Sequence, residues 1–238
     1  MSESEFPPAG SPGSPAAEPA SARRLGDRAS SRRRRAREAR SALYRQLVFE
    51  AAERAFAEKG VEDTKMEEIA AEAGLALGTL YNVVAGKARL VAEIHESRLG
   101  EATRRARELA RSAGDPVETL LQGVRGYVDF FAAHPDYLRM HLQEGYAWGL
   151  GTGRGHGPAH AEAWREAHAL QVSIFQRGIA QGLFYEGDPH RMARMMVALQ
   201  QVQLADWVDG GMTRDPAELV AEMQTQARRC FCRPREAS

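Results

Sequence analysis

The sequence predicts an all-α protein, and three features of its 238 residues support that prediction. Apolar side chains recur at the three- and four-residue spacing of a helix face in one segment after another. Aspartate followed by proline, a pair that caps and opens helices, restarts the chain at Asp115, Asp188 and Asp215. Residues 64–87 have the pattern of two short helices joined by a glycine turn. We therefore expect a small helical domain followed by a larger one.

Charge is unevenly distributed along a chain whose formal net charge is zero. The segment from Ser21 to Gly60 contains twelve Lys and Arg residues but five Asp and Glu residues. A basic excess beside two short helices is typical of a surface that binds nucleic acid. No apolar run approaches the roughly twenty residues that cross a bilayer, and the N-terminus lacks a signal-peptide core. We expect a soluble cytoplasmic protein without a membrane partner.

Residues 1–40 are predicted to form a disordered tail that ends in a basic arm. Met1 to about Ser31 is rich in Pro, Gly, Ser, Ala and Glu and has little to bury. The arginine-rich arm that follows ends at Arg40. It either contacts DNA phosphates or a minor groove, or it is a solvated charge run that keeps the tail soluble.

The first helix is predicted to begin at Ser41, a capping residue, and to end at Lys59 and Gly60. Its role is to hold the two helices beyond, with Phe56 as the main core anchor. The apolar stripe of this helix comprises Leu43, Leu47, Val48, Ala51, Ala52, Ala55 and Phe56.

The two short helices form a helix-turn-helix pattern. Thr64 is the predicted N-cap of the first, and Glu67 follows three residues later as in a capping box. The chain turns at Gly74, because glycine readily adopts the left-handed conformation of a sharp stop. The second helix, Leu75 to Val84, buries Leu80 and its last residue on one face. The remaining face is the one with which a helix-turn-helix reads DNA.

The segment resembles the DNA-binding domain of the tetracycline-repressor (TetR) family. The residues that carry the resemblance are AAERAFAEKGVEDTKMEEIAAEAGL, followed by GTLYNVV and GK. The sequence departs from the family pattern at Ala76, at Val84 and at the pair Ala85-Gly86. The resemblance implies a helix-turn-helix DNA-binding domain at 41–95, an effector-binding and dimerisation domain at 96–232, and a C-terminal tail at 233–238.

The resemblance also implies roles for individual residues of the helix-turn-helix. Asn82 can pair with adenine, and Leu77 or Val83 can meet a thymine methyl, which favours A·T pairs. The alternatives are that Thr64 only caps its helix and that Tyr81 only packs between helices. Base-edge contact is carried over to Leu77, Gly78, Thr79, Asn82 and Val83, and phosphate contact to Thr64, Tyr81 and Lys87.

A long helix from about Leu90 to Arg111 follows, and the resemblance implies that it links the DNA-binding head to the body. Its exposed turns are predicted to carry Arg98, Arg104, Arg105 and Arg107.

An aromatic region beyond this helix is the predicted wall of a ligand pocket, because such pockets are apolar with a few polar groups. Ordinary core packing is the alternative. The candidates are Phe131, Tyr137, Met140, His141, Tyr146, Trp148, Trp164 and Phe175.

Two long helices near the C-terminus resemble the pair through which the family dimerises, although an intramolecular core would give the same pattern. A homodimer is favoured because a helix-turn-helix binds specifically through two half-sites. The interface candidates are Val172, Phe175, Ile179, Met192, Met195, Met196, Leu199 and Val202.

Other features carry less chemistry. The glycine-rich stretch Gly149 to Pro158 lacks both the G-x-G-x-x-G spacing and a Walker lysine, so we expect a mobile loop. His156, His160 and His168 are too far apart for one metal ion. Cys230 and Cys232 form either an inert pair or a redox or metal site, and we expect neither cofactor nor metal.

Together these features predict a ligand-responsive transcriptional regulator, a repressor that binds an inverted-repeat operator as a homodimer and is released by a small molecule. The alternative is a low-specificity, nucleoid-type DNA-binding protein without an effector. An enzyme is not expected, because the sequence has no nucleophile–base set, metal motif or phosphate loop. Neither the effector nor the operator can be identified from the sequence.

Overall fold

The computed structural model describes residues 20–112, 114–143 and 158–234. In these residues the secondary structure is helical, apart from one isolated β-bridge between Phe184 and Cys232. The all-α prediction is therefore confirmed. The helices are α1 (Ala20–Lys59), α2 (Met66–Glu72), α3 (Leu77–Val83), α4 (Lys87–Ser112), α5 (Pro116–Ala133), α6 (Pro135–Gln143), α7 (Pro158–Ala180), α8 (Pro189–Asp209) and α9 (Pro216–Phe231).

The chain forms two compact units, Met1–Tyr44 and Arg45–Ser238. In the first unit the described residues belong to α1, which begins at Ala20 and not at Ser41 as predicted. The reason is that Arg and Ala, both strong helix formers, dominate this stretch and no proline interrupts it. Leu43, predicted to be apolar core, is 53% exposed. Residues 1–19 lie outside the described part, and the predicted domain boundaries remain predictions.

In the second unit, α1, α2 and α3 share one apolar core. Phe56 of α1, Ile69 of α2 and Leu80 of α3 are each fully buried. Gly74 follows α2 with φ +66, so the predicted glycine turn is present.

The start of α2 differs from the prediction by one residue. Lys65 is the N-cap, and its backbone N–H donates to the Glu68 carboxylate at 3.1 Å. Thr64 is buried, and its hydroxyl lies 2.7 Å from the Gly60 carbonyl oxygen and 3.2 Å from that of Ala55. Thr64 does not cap α2, because its hydroxyl is directed at the end of α1 instead.

The larger part of the second unit is a helical body in which α4 packs against α5 and α7, α5 against α9, and α7 against α8. Asp115, Asp188 and Asp215 cap α5, α8 and α9, each accepting a first-turn backbone N–H at 2.8–2.9 Å. All three predicted helix restarts are confirmed. None of the described helices combines the length and the apolar character that a membrane crossing requires.

Candidate functional site

The outer face of α3 is the candidate nucleic-acid interface. Leu80 and Val84 are 0% and 3% exposed and fix the inner side of the helix against the core. Gly78, Tyr81 and Asn82 are exposed. Their spacing of three and four residues places them on one face of the helix. A Cβ built on Gly78 meets nothing within 4 Å, so internal packing does not require glycine there.

The other predicted base-contact residues are less accessible. Leu77, Thr79 and Val83 are half-buried, and Leu77 and Val83 pack partly against the core. Each therefore presents only part of its surface to a partner. The open face of α3 is narrower than the sequence pattern alone suggests.

Two of the three predicted phosphate ligands, Lys87 and Thr64, form hydrogen bonds with carbonyl oxygens of the same chain. The Lys87 ammonium donates to the Glu62 carbonyl oxygen at 2.7 Å and to the Thr64 carbonyl oxygen at 3.1 Å. Thr64 is 1% exposed, so its hydroxyl does not face solvent. Lys87 thus ties the start of α4 to the loop before α2. Tyr81, 48% exposed, is the predicted phosphate ligand that stands open to solvent.

A charge pair on the head links α1 to α2. The Lys59 ammonium and the Glu68 carboxylate are 2.9 Å apart on the surface. Their mutual hydrogen bond raises the pKa of Lys59 and lowers the pKa of Glu68. This basic residue is therefore neutralised by a neighbour on the protein itself.

A buried ion pair joins the head to the body. The Arg98 guanidinium donates to both carboxylate oxygens of Glu53, at 2.7 and 2.8 Å, and also to Glu101 at 3.2 Å. The prediction that Arg98 is exposed is wrong, because only 16% of its side chain is accessible. The sequence did carry a signal: Glu53 lies within the apolar stripe of α1, where a carboxylate needs a partner. A second tie runs from the Gln143 side-chain amide to the Ala57 carbonyl oxygen at 3.0 Å.

The body contains a cavity of about 130 Å³ bounded by α4, α5, α7 and α8. Most of its wall is apolar, and Leu99, Val124 and Phe130 are among the lining residues. The polar side chains in the wall belong to Thr103, Tyr127, His168, Gln171, Arg194 and Gln200.

Three of these polar side chains carry buried atoms without a hydrogen-bond partner in the described residues. They are the Thr103 hydroxyl, the Tyr127 hydroxyl and the Gln200 side-chain oxygen, one each from α4, α5 and α8. Burial also raises the pKa of the Tyr127 phenol, which is therefore protonated at neutral pH. Native proteins leave few such atoms unpaired. Three at one cavity suit the binding of a molecule with a polar group.

His168 lies on the α7 side of the cavity and stacks on Trp164, with ring centroids 5.0 Å apart. Burial lowers the pKa of His168, and the charges of His190 and Arg194 lower it further. The imidazole is consequently neutral near pH 7. Arg194 itself is exposed, so its charge is solvated.

The cavity is lined by different residues from those predicted. Of the eight candidates, Trp164 lines it. Tyr146 and Trp148 lie outside the described residues. The sequence could not show which face of each helix is enclosed. The remaining candidates lie elsewhere: Phe131, Tyr137, Met140 and His141 are buried where α5 and α6 meet, and Phe175 packs on Phe184 and Phe231.

The residues predicted to form the dimer interface fall into exposed, half-buried and buried groups. Met195 and Val202 of α8 are 54% and 61% exposed, and a spacing of seven residues places them on one side of the helix. Ile179 and Leu199 are half-buried. The other four candidates are packed inside the same chain and offer no surface to a partner: Val172, Phe175, Met192 and Met196.

Comparison with known proteins agrees with this architecture. Residues 48–94 match the family model described as bacterial regulatory proteins, tetR family. The chain is also 28% identical, over 142 residues, to the HTH-type transcriptional repressor SCO4008 of Streptomyces coelicolor. That match covers 60% of this chain and 68% of the relative.

Solved structures with the same fold include the ketosteroid transcriptional regulator KstR2 of Mycobacterium tuberculosis, with a TM-score of 0.67 and 21% identity. That alignment covers 80% of this chain and 95% of KstR2. The regulator FadR of Bacillus subtilis, solved with stearoyl-CoA, gives a TM-score of 0.63 at 20% identity over 76% of this chain and 96% of FadR. The helix-turn-helix and its match to the family model lead to one conclusion: residues 48–94 of this chain carry the helix-turn-helix region of the tetR family of bacterial regulatory proteins.

Proposed function

We propose that the protein is a homodimeric repressor that binds an inverted-repeat operator through α3 and is released when a small molecule fills the cavity of the body. The observation that carries this proposal is the open face of α3, formed by Gly78, Tyr81 and Asn82. Exposed residues on a short helix held firmly by buried neighbours are what a recognition helix requires. We place the protein in the cytoplasm, where such an operator would be found.

The residues of this face have distinct chemical roles. The Asn82 amide can donate to and accept from the major-groove edge of an adenine. The Tyr81 hydroxyl suits a phosphate oxygen, which fixes register without reading sequence. Gly78 has no side chain and no close neighbour, so the DNA can approach the helix backbone at that point.

The second half of the operator requires a second copy of the chain. Met195 and Val202 are exposed on one side of α8, two helical turns apart, and large apolar side chains on one exposed face favour burial against a partner. A two-fold axis beside α8 would make this surface meet its own copy. We therefore assign Met195 and Val202 to the dimer interface, with Leu199 and Ile179 at its edge.

Ligand binding would release the operator DNA through α4, because this helix contacts both the cavity and the helix-turn-helix head. Leu99 and Thr103 of α4 line the cavity, and Arg98 of the same helix holds Glu53 of α1. A ligand that binds better to one position of α4 shifts the population of head orientations. DNA affinity and ligand affinity then change by the same factor.

The named relatives are consistent with an apolar effector. KstR2 is described as a ketosteroid regulator, and FadR was solved with stearoyl-CoA. The mainly apolar wall of the cavity in this chain supports a ligand that is likewise mainly apolar, but its volume of about 130 Å³ suits a smaller molecule.

Selection from a library of random DNA duplexes tests the DNA-reading proposal. The full-length protein should enrich an inverted repeat whose half-sites are related by two-fold symmetry. Asn82→Ala should relax the preference at one position in each half-site, by about 1–3 kcal/mol per contact. Tyr81→Ala should weaken binding to all sequences alike. Gln181→Ala, an exposed residue after α7, is the matched control and should change neither property.

Enrichment of no sequence would contradict the operator proposal and favour the low-specificity, nucleoid-type alternative. The exposed arginines between Arg32 and Arg40 are the feature that supports that alternative.

A further inference from the structure

We propose that the cavity between α4, α5, α7 and α8 binds an uncharged, mainly apolar molecule bearing a hydroxyl group, an alcohol or a phenol. Thr103, Tyr127 and Gln200 hold that hydroxyl-bearing end. This inference rests on the effector role proposed above and specifies the chemical class of the effector.

The first step is the cost of the three polar atoms. Thr103 and Gln200 are 4% and 3% exposed, and the Tyr127 hydroxyl is buried as well. None of the three atoms has a hydrogen-bond partner in the described residues. An unpaired polar atom loses its hydration on folding and gains nothing in return. A ligand that supplies the missing bonds recovers this loss, so the site favours polar contact at these positions.

The second step is the kind of polar group. The hydroxyls of Thr103 and Tyr127 can donate and accept, whereas the Gln200 side-chain oxygen only accepts. A ligand hydroxyl both donates and accepts, so it can satisfy any of the three. A ketone or a carboxylate cannot donate to Gln200. Of these three groups, the hydroxyl alone suits every one of the three side chains.

The third step is charge. The described wall contains no Lys, Asp or Glu. His168 is driven toward its neutral form, and the Arg194 guanidinium is exposed to water. A charged group moved into this wall would lose its hydration without gaining a buried counter-ion. An uncharged ligand avoids this loss.

The fourth step is size. The cavity measures about 130 Å³. An engineered apolar cavity of about 150 Å³ in another protein takes up benzene. One aromatic ring, or an aliphatic group of similar volume, therefore fits the enclosed part.

Fluorine NMR titration of the full-length protein with three matched probes tests the proposal. The probes are 4-fluorophenol, fluorobenzene and 4-fluorobenzoate, which share a ring and differ in the polar group. We expect 4-fluorophenol to bind about tenfold more tightly than either of the others, because it alone of the three probes can both donate and accept a hydrogen bond. Equal binding of fluorobenzene, tighter binding of 4-fluorobenzoate, or no binding of any probe would overturn the assignment.

Variants connect the selectivity to the named atoms. Tyr127→Phe and Thr103→Val should each reduce the preference for 4-fluorophenol over fluorobenzene several-fold. Both should also leave the melting temperature of the ligand-free protein unchanged or raise it, because each removes an unpaired buried hydroxyl. A fall in melting temperature would show that the hydroxyl already has a partner and would overturn the argument.

Thr119→Val is the matched control. Thr119 of α5 is also buried, but its hydroxyl donates to the Asp115 carbonyl oxygen at 2.8 Å. This variant should lower the melting temperature and leave probe selectivity unchanged.

The titration contains no DNA, so its outcome is separable from the repressor proposal. Binding of 4-fluorophenol without release of operator DNA would leave the ligand class standing and reject the effector role. Normal operator binding by a protein that takes up no probe would reject the ligand class alone.

Discussion

Removal of the Arg98 guanidinium should destabilise the protein more than removal of any exposed arginine. Arg98→Met keeps a side chain of similar length but leaves the Glu53 carboxylate in the core without a partner. The Glu53 side chain is 6% exposed, so water cannot replace the missing hydrogen bonds. The variant tests whether the contact between the head and α4 depends on this ion pair.

The magnitude follows from the geometry. Two charge-assisted hydrogen bonds of 2.7 and 2.8 Å are removed, and one buried charge remains. Breaking a buried ion pair from one side typically costs 3–5 kcal/mol, and the partial exposure of Arg98 places this case at the low end, about 3 kcal/mol. For a chain of this length that corresponds to a fall in melting temperature of about 6–12 °C.

Urea unfolding and thermal melting at one fixed protein concentration measure the effect, because the proposed dimerisation would make stability depend on concentration. Arg105→Met is the matched control. Arg105 pairs with Glu101 at 2.7 Å, but 44% of its side chain is exposed. Loss of such a surface pair should cost less than about 1 kcal/mol.

The double variant Glu53→Met with Arg98→Met completes the cycle. With both charges gone, two apolar side chains occupy the site, and stability should return to within about 1 kcal/mol of the wild type. The reasoning would be refuted if Arg98→Met cost no more than Arg105→Met. It would also be refuted if the double variant were as unstable as Arg98→Met.

Four further predictions concern other parts of the molecule. Gly78→Ala should stabilise the fold by about 0.5–1 kcal/mol in urea unfolding, because alanine favours a helix and the added methyl group meets no neighbouring atom. The same variant should weaken operator binding, and unchanged binding would show that DNA does not approach the helix at this residue. Val202→Glu should convert the proposed dimer to a monomer in light scattering and lower operator affinity on the order of 100-fold. Arg125→Glu, at an exposed position of α5, should do neither. Because burial lowers the pKa of His168 in the folded protein, the unfolded chain takes up a proton on this histidine more readily than the folded one, so stability should fall as pH drops below about 6.5. His168→Gln should flatten that pH dependence, and a variant with the same pH profile as the wild type would contradict the prediction. Deletion of residues 1–40 should reduce the slope of log affinity against log salt by about 0.9 for each phosphate that the arm neutralises. An identical slope would show that the arm does not contact DNA phosphates.

Local sequence signals predicted the helices and turns well, because each signal acts through residues that are adjacent in the sequence. Gly74 ends α2 in the left-handed conformation, and Asp115, Asp188 and Asp215 cap helices with their own carboxylates. Leu80 is buried because its neighbours on α3 leave one apolar side. Such features depend on a few adjacent residues and need no knowledge of distant ones.

The predictions that failed depend on contacts between distant parts of the chain. Arg98 is on a turn that looks exposed until Glu53, 45 positions earlier, is placed beside it. The two carbonyl oxygens that accept from the Lys87 ammonium also lie more than twenty positions away in the sequence, and its contact with phosphate stays a prediction. The predicted start of α1 was wrong for another reason: a capping residue such as Ser41 does not end a preceding run of strong helix formers.

Most of the described residues that were predicted to line a ligand pocket lie away from this cavity, because the prediction relied on aromatic side chains. Tyr137 and His141 are buried core residues. The residues that distinguish the cavity are Thr103 and Gln200, polar side chains among apolar neighbours on α4 and α8. Their convergence on one cavity required the packing of α4 against α5 and α7, and of α7 against α8.

Nuclease footprinting of the full-length protein on the intergenic DNA beside its own gene tests the central claim most directly. The measurement is made near physiological salt with an excess of nonspecific competitor DNA. We predict one protected site with two-fold symmetry, bound by two copies of the chain, and weaker protection of that site by Asn82→Ala. Weak, uniform protection along the whole fragment, unaffected by Asn82→Ala, would contradict the account.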